Sequence, residues 1–277
     1  MRALKIVISR SIGDKKSLSL RDVRISLDGR NYTIPAFLKG LIDHIILIPQ
    51  YQDFQRTQIT QFVASIAARV PIGALIVDAG AGEGWYRGYF SHANYVAIDY
   101  GIGDAKWDYT KLNALCDLTD IPFKSQRVPY ILCTQTLEHV QKPQSVVMEF
   151  YRVISPGGEI YCTMPFLADY HHQEPYDYFR YTKYGVESLF RTAGFREIAI
   201  NPLGGYYTLL VLCLQNGLRR LGRRNSERLF VIRGIVFIIR QALTLLLRWM
   251  NRIAWFLDRK DERRYLFALG FSVIAKK

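Results

Sequence analysis

From position 74 onward the chain alternates short apolar runs with segments of helical periodicity. The runs at 75–79, 95–99, 130–134, 159–164 and 196–200 read as strands. Between them, 85–92, 143–154 and 183–193 read as helices, the last closed by Gly194 just past its end. Strands alternating with helices predict an α/β fold, a mostly parallel sheet covered on both faces. Upstream, Ile59, Phe62, Val63, Ile66 and Ala67 fall at helical spacing and predict a helix over 54–69. Nearer the start, Val23-Arg24-Ile25-Ser26 and Tyr32-Thr33-Ile34 flank Asp28-Gly29, a two-residue hairpin signal. The run from Tyr265 to Ala275 reads as a strand returning to the sheet.

This pattern divides the chain into a β-rich extension (1–40), a main domain (41–205 with 263–277) and a basic, amphipathic helical insertion (206–262). Of 277 residues, 49% are hydrophobic and 13% aromatic, which excludes disorder and collagen-like repeats. The net charge of +13 changes the picture only through its location. Residues 1–40 hold nine basic and three acidic side chains, residues 215–264 hold thirteen and four, and residues 41–214 hold thirteen and seventeen. The middle is therefore mildly acidic. An enzyme working on nucleic acid carries its basic residues around the cleft, so no nucleic-acid partner is expected. Cys116, Cys133, Cys162 and Cys213 lie far apart with no CxxC pair, so neither a metal site nor a disulfide framework is expected. Residues 1–8 are too short and too weakly apolar for a secretory signal, and a cytoplasmic location follows as the expectation.

Candidate chemistry begins at Leu75-Ile76-Val77-Asp78-Ala79-Gly80-Ala81-Gly82-Glu83-Gly84, an apolar strand running into a glycine loop ahead of Trp85. Glycines let the backbone turn tightly and approach a ligand, although a plain strand–helix turn has the same signature. The third glycine of a dinucleotide fingerprint is replaced by Trp85. Asp99 ends the next strand, where a carboxylate accepts both ribose hydroxyls of a nucleoside or simply sits in solvent. Asp117, in Cys116-Asp117-Leu118-Thr119-Asp120, is placed to accept from an adenine amine or to form a turn. The run Leu132-Cys133-Thr134-Gln135-Thr136-Leu137-Glu138-His139-Val140 carries a strand into a short helix.

In this order the segments resemble class I S-adenosylmethionine-dependent methyltransferases of the type 11 branch. The resemblance extends to 103–109, to Val153-Ile154-Ser155-Pro156-Gly157-Gly158, and to 172–182, where it is similar to methyltransferases encoded among bacterial cell-surface glycan genes. It implies a Rossmann-like, mostly parallel seven-stranded sheet with its last strand antiparallel. It also implies S-adenosyl-L-methionine as cofactor. Asp78, Gly80 and Gly82 would hold the methionine portion, Asp99 the ribose, and Asp117 with Leu118 the adenine; Ala79, Ala81, Tyr100 and Gln135 complete the cofactor-binding set. Pro129 departs from the pattern, standing where the family has Asp, and a proline is tolerable at a strand start.

The segment after the 159–164 strand would lie at the sheet's carboxyl edge, where ligands bind. His172 is the expected proton acceptor, since its ordinary pKa lies near neutrality. Asp177 orients it or serves as base itself, and Arg180 is suited to a phosphate or carboxylate. The alternative is that this aromatic-rich loop locks itself over the sheet. His139 is expected to support the cofactor loop.

Residues 206–257 differ from the rest. Placed at about 100° per residue, Arg233, Arg240, Gln241, Thr244, Arg248, Asn251, Arg252 and Arg259 share one arc, and Phe237 and Trp255 interrupt it. A basic stripe beside a broad apolar face suits a helix lying in a membrane interface, with Trp249 and Trp255 as anchors. Packing on the protein's own sheet, or on a second subunit as a homodimer, remains open. The expected enzyme is a methyltransferase held on the inner face of a membrane, O-methylating a glycan or lipid-linked surface precursor. A quinone-type lipid acceptor and an inactive cofactor-binding adaptor are the alternatives.

Overall fold

Ile76 and Val77 are neighbours in sequence but enter different hydrophobic cores, and this period-two division organises the molecule. The structure is a computed structural model. It describes residues 54–103, 107–167, 175–217 and 249–277 in full, the backbone of 4–8, 23–27, 30–32 and 218–223, and residues 242, 246 and 247. The chain divides into two compact units, Met1–Gln52 with Leu229–Leu245, and Asp53–Arg228 with Leu246–Lys277. In the first, β1 (Leu4–Ile8), β2 (Val23–Leu27) and β3 (Arg30–Tyr32) form an antiparallel sheet. Leu27 pairs with Arg30, the register expected of a hairpin linked through Asp28-Gly29.

The second unit is built on a seven-stranded sheet. Its elements are α1 (Phe54–Ala67), β4 (Leu75–Ala79), β5 (Asn94–Asp99), β6 (Ala114–Leu115), β7 (Val128–Thr134), α2 (Pro143–Val153), β8 (Ile154–Pro165), α3 (Lys183–Ala193), β9 (Glu197–Leu203), α4 (Tyr206–Arg223) and β10 (Gly270–Lys276). The strand order is β6-β5-β4-β7-β8-β10-β9. The ladders from β6 to β8 are parallel, and β10 runs antiparallel between β8 and β9. This is the architecture predicted from the alternation and the resemblance. The chain leaves β4 towards β5 and β6, then returns to its other side with β7, so the loops after β4 and β7 diverge at a topological switch point.

Val77, Ile131, Cys133, Ile160 and Cys162 pack on one face with Phe150 of α2 and Phe190 of α3. Ile76, Leu132 and Tyr161 pack on the other with Ile59, Val63 and Ile66 of α1. The Thr182 hydroxyl caps α3, accepting from the Gly185 N–H at 3.1 Å. The helix closes at Gly194, whose N–H donates to the Arg191 carbonyl at 3.0 Å. Proline is placed where the ladder tolerates it: Pro129 sits at a register irregularity at the start of β7, and Pro202 lies on the edge strand β9.

Two expectations are corrected. Residues 85–92 do not form an α-helix; turns lead into a short 3-10 helix at Arg87–Phe90. Phe90 is fully buried against Tyr95, its ring 5.8 Å away, and the chain re-enters the sheet at Asn94, so packing of this ring and the short return to the strand accompany the tighter 3-10 turn. The last strand begins at Gly270 rather than at 265, because Arg264–Phe267 forms a 3-10 turn first.

Residues 246–247 and 249–260 are helical, and Asp258 on this stretch ties two parts of the unit together. It is buried, and its carboxylate accepts from the N–H groups of Tyr207 and Thr208, both at 3.0 Å, and from the Thr208 hydroxyl. It thereby satisfies donors at the start of α4 that the helix itself leaves unpaired. Asp258→Ala is expected to cost about 2–4 kcal/mol, because buried donors lose their only acceptor. Urea unfolding should show the full loss for Asp258→Ala and a smaller one for Asp258→Asn, which keeps one acceptor oxygen.

Candidate functional site

The glycine loop is fastened before it reaches any ligand. The N–H groups of Gly80 and Ala81 donate to the Ile98 carbonyl at 2.9 and 3.1 Å, joining the end of β4 to β5. Gly80 and Gly82 have φ of 79° and 55°, a left-handed conformation that glycine adopts without strain. A Cβ on Gly80 would collide with Thr136, and one on Gly82 would come 3.2 Å from the Trp107 ring. The loop therefore passes close to Thr136 at Gly80, where no side chain fits, and against the Trp107 ring at Gly82.

Asp99 is the junction of the site. One carboxylate oxygen accepts from the Gly82 N–H and the other from the Gly101 N–H, both at 2.8 Å. Its backbone carbonyl accepts from the Cys116 N–H at 2.9 Å, which brings the Asp117 segment to the same edge. Asp117 spends one oxygen on the N–H and hydroxyl of Thr119, both at 2.8 Å, and stands exposed beside buried Leu118. The structure thus brings Gly80, Gly82, Asp99, Asp117 and Leu118 together along one sheet edge. Ala79 and Ala81 are buried beneath the loop, and Tyr100 is exposed next to Asp99.

Asp78 is placed differently from its neighbours. It is fully buried; one oxygen accepts from the Tyr95 hydroxyl and the other has no hydrogen-bond partner. Burial pushes its carboxyl up to about 7, against the Tyr95 hydrogen bond that favours the charged form. Gln135 takes φ of 49°, rare for a residue with a side chain. Its Nε2 donates to Thr163 Oγ1 and its Oε1 accepts from Gln55 Nε2, each at 3.3 Å.

Of the expected acceptor-side residues, His172 lies outside the described residues. Asp177 and Arg180 form a bidentate pair at 2.6 and 2.8 Å, and the Asp177 side chain is only 4% exposed. Both Asp177 oxygens are committed to Arg180. The loop is zipped to the end of β7: the N–H groups of Tyr178 and Phe179 donate to the Glu138 carbonyl at 2.8 and 3.2 Å, and the Tyr181 hydroxyl to the Leu137 carbonyl at 2.9 Å.

Sequence reasoning missed Glu138. Its side chain is fully buried behind this loop, and neither carboxylate oxygen has a hydrogen-bond partner. His139 Nε2 lies 3.8 Å from one of them, and His139 Nδ1 lies 2.5 Å from the Tyr176 carbonyl, which requires a proton on Nδ1. Burial pushes the Glu138 carboxyl up to about 8, opposed first by its own backbone N–H and then by Arg180, with Asp177 adding to the shift. The only signal in the sequence was an acid set between apolar residues at a strand end.

Residues 77–162 match the family described as a methyltransferase domain, of type 11. Among curated proteins, a ubiquinone biosynthesis O-methyltransferase of Pseudomonas entomophila is 23% identical over 100 residues, 32% of this chain and 43% of that protein. The match thus spans less than half of that relative. Among solved structures, a methyltransferase of Archaeoglobus fulgidus dependent on S-adenosylmethionine superposes with a TM-score of 0.51 at 13% identity, over 88% of this chain and 100% of that one. Phosphoethanolamine N-methyltransferase 2 of Haemonchus contortus, solved with S-adenosylmethionine, has a TM-score of 0.45 at 14% identity, over 92% of this chain and 63% of that one. Residues 77–162 thus resemble a methyltransferase domain, and the fold is that of the S-adenosylmethionine-dependent methyltransferase of Archaeoglobus fulgidus. The residues present fit S-adenosylmethionine, since Asp78 keeps a buried oxygen with no hydrogen-bond partner among the described residues at the root of the loop.

The Glu138 geometry sets a pH dependence. An unfolded chain releases this proton near the ordinary 4.5, the folded chain only near 8, so between these values the unfolded state binds fewer protons. Stability falls as pH rises through that window, by about 1 kcal/mol per pH unit from this group. Glu138→Gln should remove that contribution, becoming more stable than wild type at pH ~8 and not at ~4. Thermal unfolding across the window checks it. Equal slopes for the two proteins would show that Glu138 is ionised in the fold.

Proposed function

We propose that the whole chain is an S-adenosylmethionine-dependent O-methyltransferase acting at the cytoplasmic face of a membrane on a hydroxyl of a glycan or lipid-linked surface precursor. The observation that carries the methyltransferase part is the Asp99 carboxylate held by the Gly82 and Gly101 N–H groups at the switch point of the sheet. A carboxylate has about four acceptor positions, so two remain for ribose hydroxyls. In this reading Gly80 and Gly82 bend the backbone around the methionine portion, and Asp117 with Leu118 borders the adenine. Ala79, Ala81, Tyr100 and Gln135 form the remaining wall, and Asp78 supports the loop from behind.

Bound S-adenosylmethionine supplies an electrophilic methyl group on a sulfonium. The protein's task is to align the acceptor oxygen, exclude water and take the hydroxyl proton. We assign the proton to His172. Asp177 holds Arg180 in a fixed orientation, and an acceptor bearing phosphate or carboxylate would compete with Asp177 for the Arg180 guanidinium. The domain division that accompanies this reading is an extension at 1–40, the enzyme at 41–205 with 263–277, and the membrane-facing insertion at 206–262.

A quinone-type lipid acceptor is the second reading, favoured by the likeness to the Pseudomonas entomophila ubiquinone O-methyltransferase. Incubation with radiolabelled S-adenosylmethionine and fractionated envelope lipids and glycans separates the two. Label in a lipid-linked or free glycan supports the first, and label in a prenylated phenol only supports the second. Cofactor binding without transfer to any fraction would make the chain a binding adaptor. Asp99→Ala is expected to weaken cofactor binding about 10–100-fold in calorimetry, since it removes the ribose acceptor and the clasp on Gly82 together. Unchanged affinity would remove Asp99 from the site.

A further inference from the structure

The helical stretch 249–260 has two unlike faces. Leu247, Ala254 and Asp258 are buried, and the Asp258 cap on α4 fixes that side inward. Trp249, Ile253 and Phe256 are 63%, 57% and 55% exposed, and Leu246 and Leu257 are exposed beside them. At about 100° per residue, Phe256, Trp249, Lys260, Ile253 and Leu257 fall within one arc of roughly 100°, with Arg252 along its edge and Arg259 beyond it. A soluble surface carries single exposed apolar side chains routinely, but not a continuous aromatic and aliphatic stripe along three turns of a helix.

Two cations lie on aromatic rings of this face, and a third lies on Trp255 outside it. The Arg252 guanidinium is 5.5 Å from the Trp249 ring centre, that of Arg259 4.6 Å from Trp255, and the Lys260 ammonium 4.4 Å from Phe256. Positive charge is thus held level with the aromatic groups, the arrangement that places rings at the depth of lipid carbonyls and cations among headgroup phosphates. No helix among the described residues is long and apolar enough to cross a membrane.

We propose that this face docks on an anionic lipid bilayer: Trp249, Ile253, Phe256 and Leu257 enter the interface, and Arg252, Arg259 and Lys260 meet the headgroup phosphates. The inference deepens the membrane part of the proposed function and rests on that part alone. Charge complementarity selects the occupant. Residues 215–264 carry thirteen basic and four acidic side chains, so a second copy would bring like charges together, while an anionic leaflet supplies the missing sign. The aliphatic members, Ile253 and Leu257, gain from acyl chains and have no use in stacking on nucleobases.

The test uses the full chain in flotation with vesicles of phosphatidylcholine, with and without phosphatidylglycerol. Flotation with the anionic vesicles is expected, with tryptophan emission shifted to the blue. The triple variant Arg252→Gln, Arg259→Gln, Lys260→Gln should lose about a hundredfold in affinity, from three cations of about 1 kcal/mol each. The double variant Trp249→Ser, Phe256→Ser should lose at least as much, and most of the emission shift with it. Depth-dependent quenching of wild-type emission by brominated lipids gives a second readout that does not depend on how the variants fold. Failure to float, equal binding by the variants, retention of single-stranded RNA by the same residues, or a dimer that these substitutions dissolve would each overturn the proposal. Cofactor binding by calorimetry is read in parallel. If that fails while flotation persists, the catalytic reading falls and the docking face stands.

Discussion

A single carboxylate fixes the geometry on which the site depends. Asp99 ends β5, and its two oxygens hold the Gly82 N–H on one side and the Gly101 N–H on the other. Without that clasp the loop after β4 would keep the two hydrogen bonds to the Ile98 carbonyl and the Asp108 N–H bond to Glu83, and none of these fixes Gly82. Charge-assisted hydrogen bonds to backbone amides are the stronger kind, and here they preorganise a nucleoside-sized edge in the free protein. The same carboxylate that would bind a ribose thus also builds the wall that binds the rest of the molecule. Trp107 closes over Gly82, and the Asp108 N–H donates to Glu83 at 2.9 Å, so the opposite rim is tied to the same loop.

The acceptor side follows a different principle. Buried carboxylates without partners disfavour folding when ionised. Glu138 avoids most of this cost by holding its proton, and its backbone carbonyl receives the N–H groups that draw the 175–181 loop against β7. Asp177 pairs with Arg180 in the same neighbourhood. The loop is thus held by an ion pair and by backbone hydrogen bonds to Glu138.

Much of this fold was legible because it follows periodicity. The central strands have two buried faces and read as apolar runs, and Gly194 ends α3 at the position the sequence marks. The clasp at Asp99 was legible only as a spacing: an acid at one strand end and a glycine at the preceding one. What periodicity does not encode was lost. The 85–92 segment has helical composition, but the distance from Gly84 to Asn94 and the burial of Phe90 decide its shape. Glu138 sits one residue from His139, and the histidine drew the attention; that the acid points into the protein is a property of the 3-10 turn at Leu137–His139, not of the local sequence. In the sequence Asp177 and Arg180 read either as substrate-facing groups or as a pair that locks the loop over the sheet, and the structure commits both Asp177 oxygens to Arg180.

The segment 249–260 shows why hydrophobicity alone misleads about location. Its mean apolar content suits a buried helix, yet only one side is packed, and the side that is packed contains an acid, Asp258. That acid is stable there because three donors at the start of α4 surround it. The cap turns the helix so that its tryptophan and phenylalanine face outward, when an apolar residue at 258 would leave its rotation to nonspecific packing. Since β9 leads directly into α4 and β10 follows the helical stretch, the cap joins the exposed face to the sheet that holds the Asp99 clasp. The packed side of the stretch is thus joined to the start of α4 through Asp258.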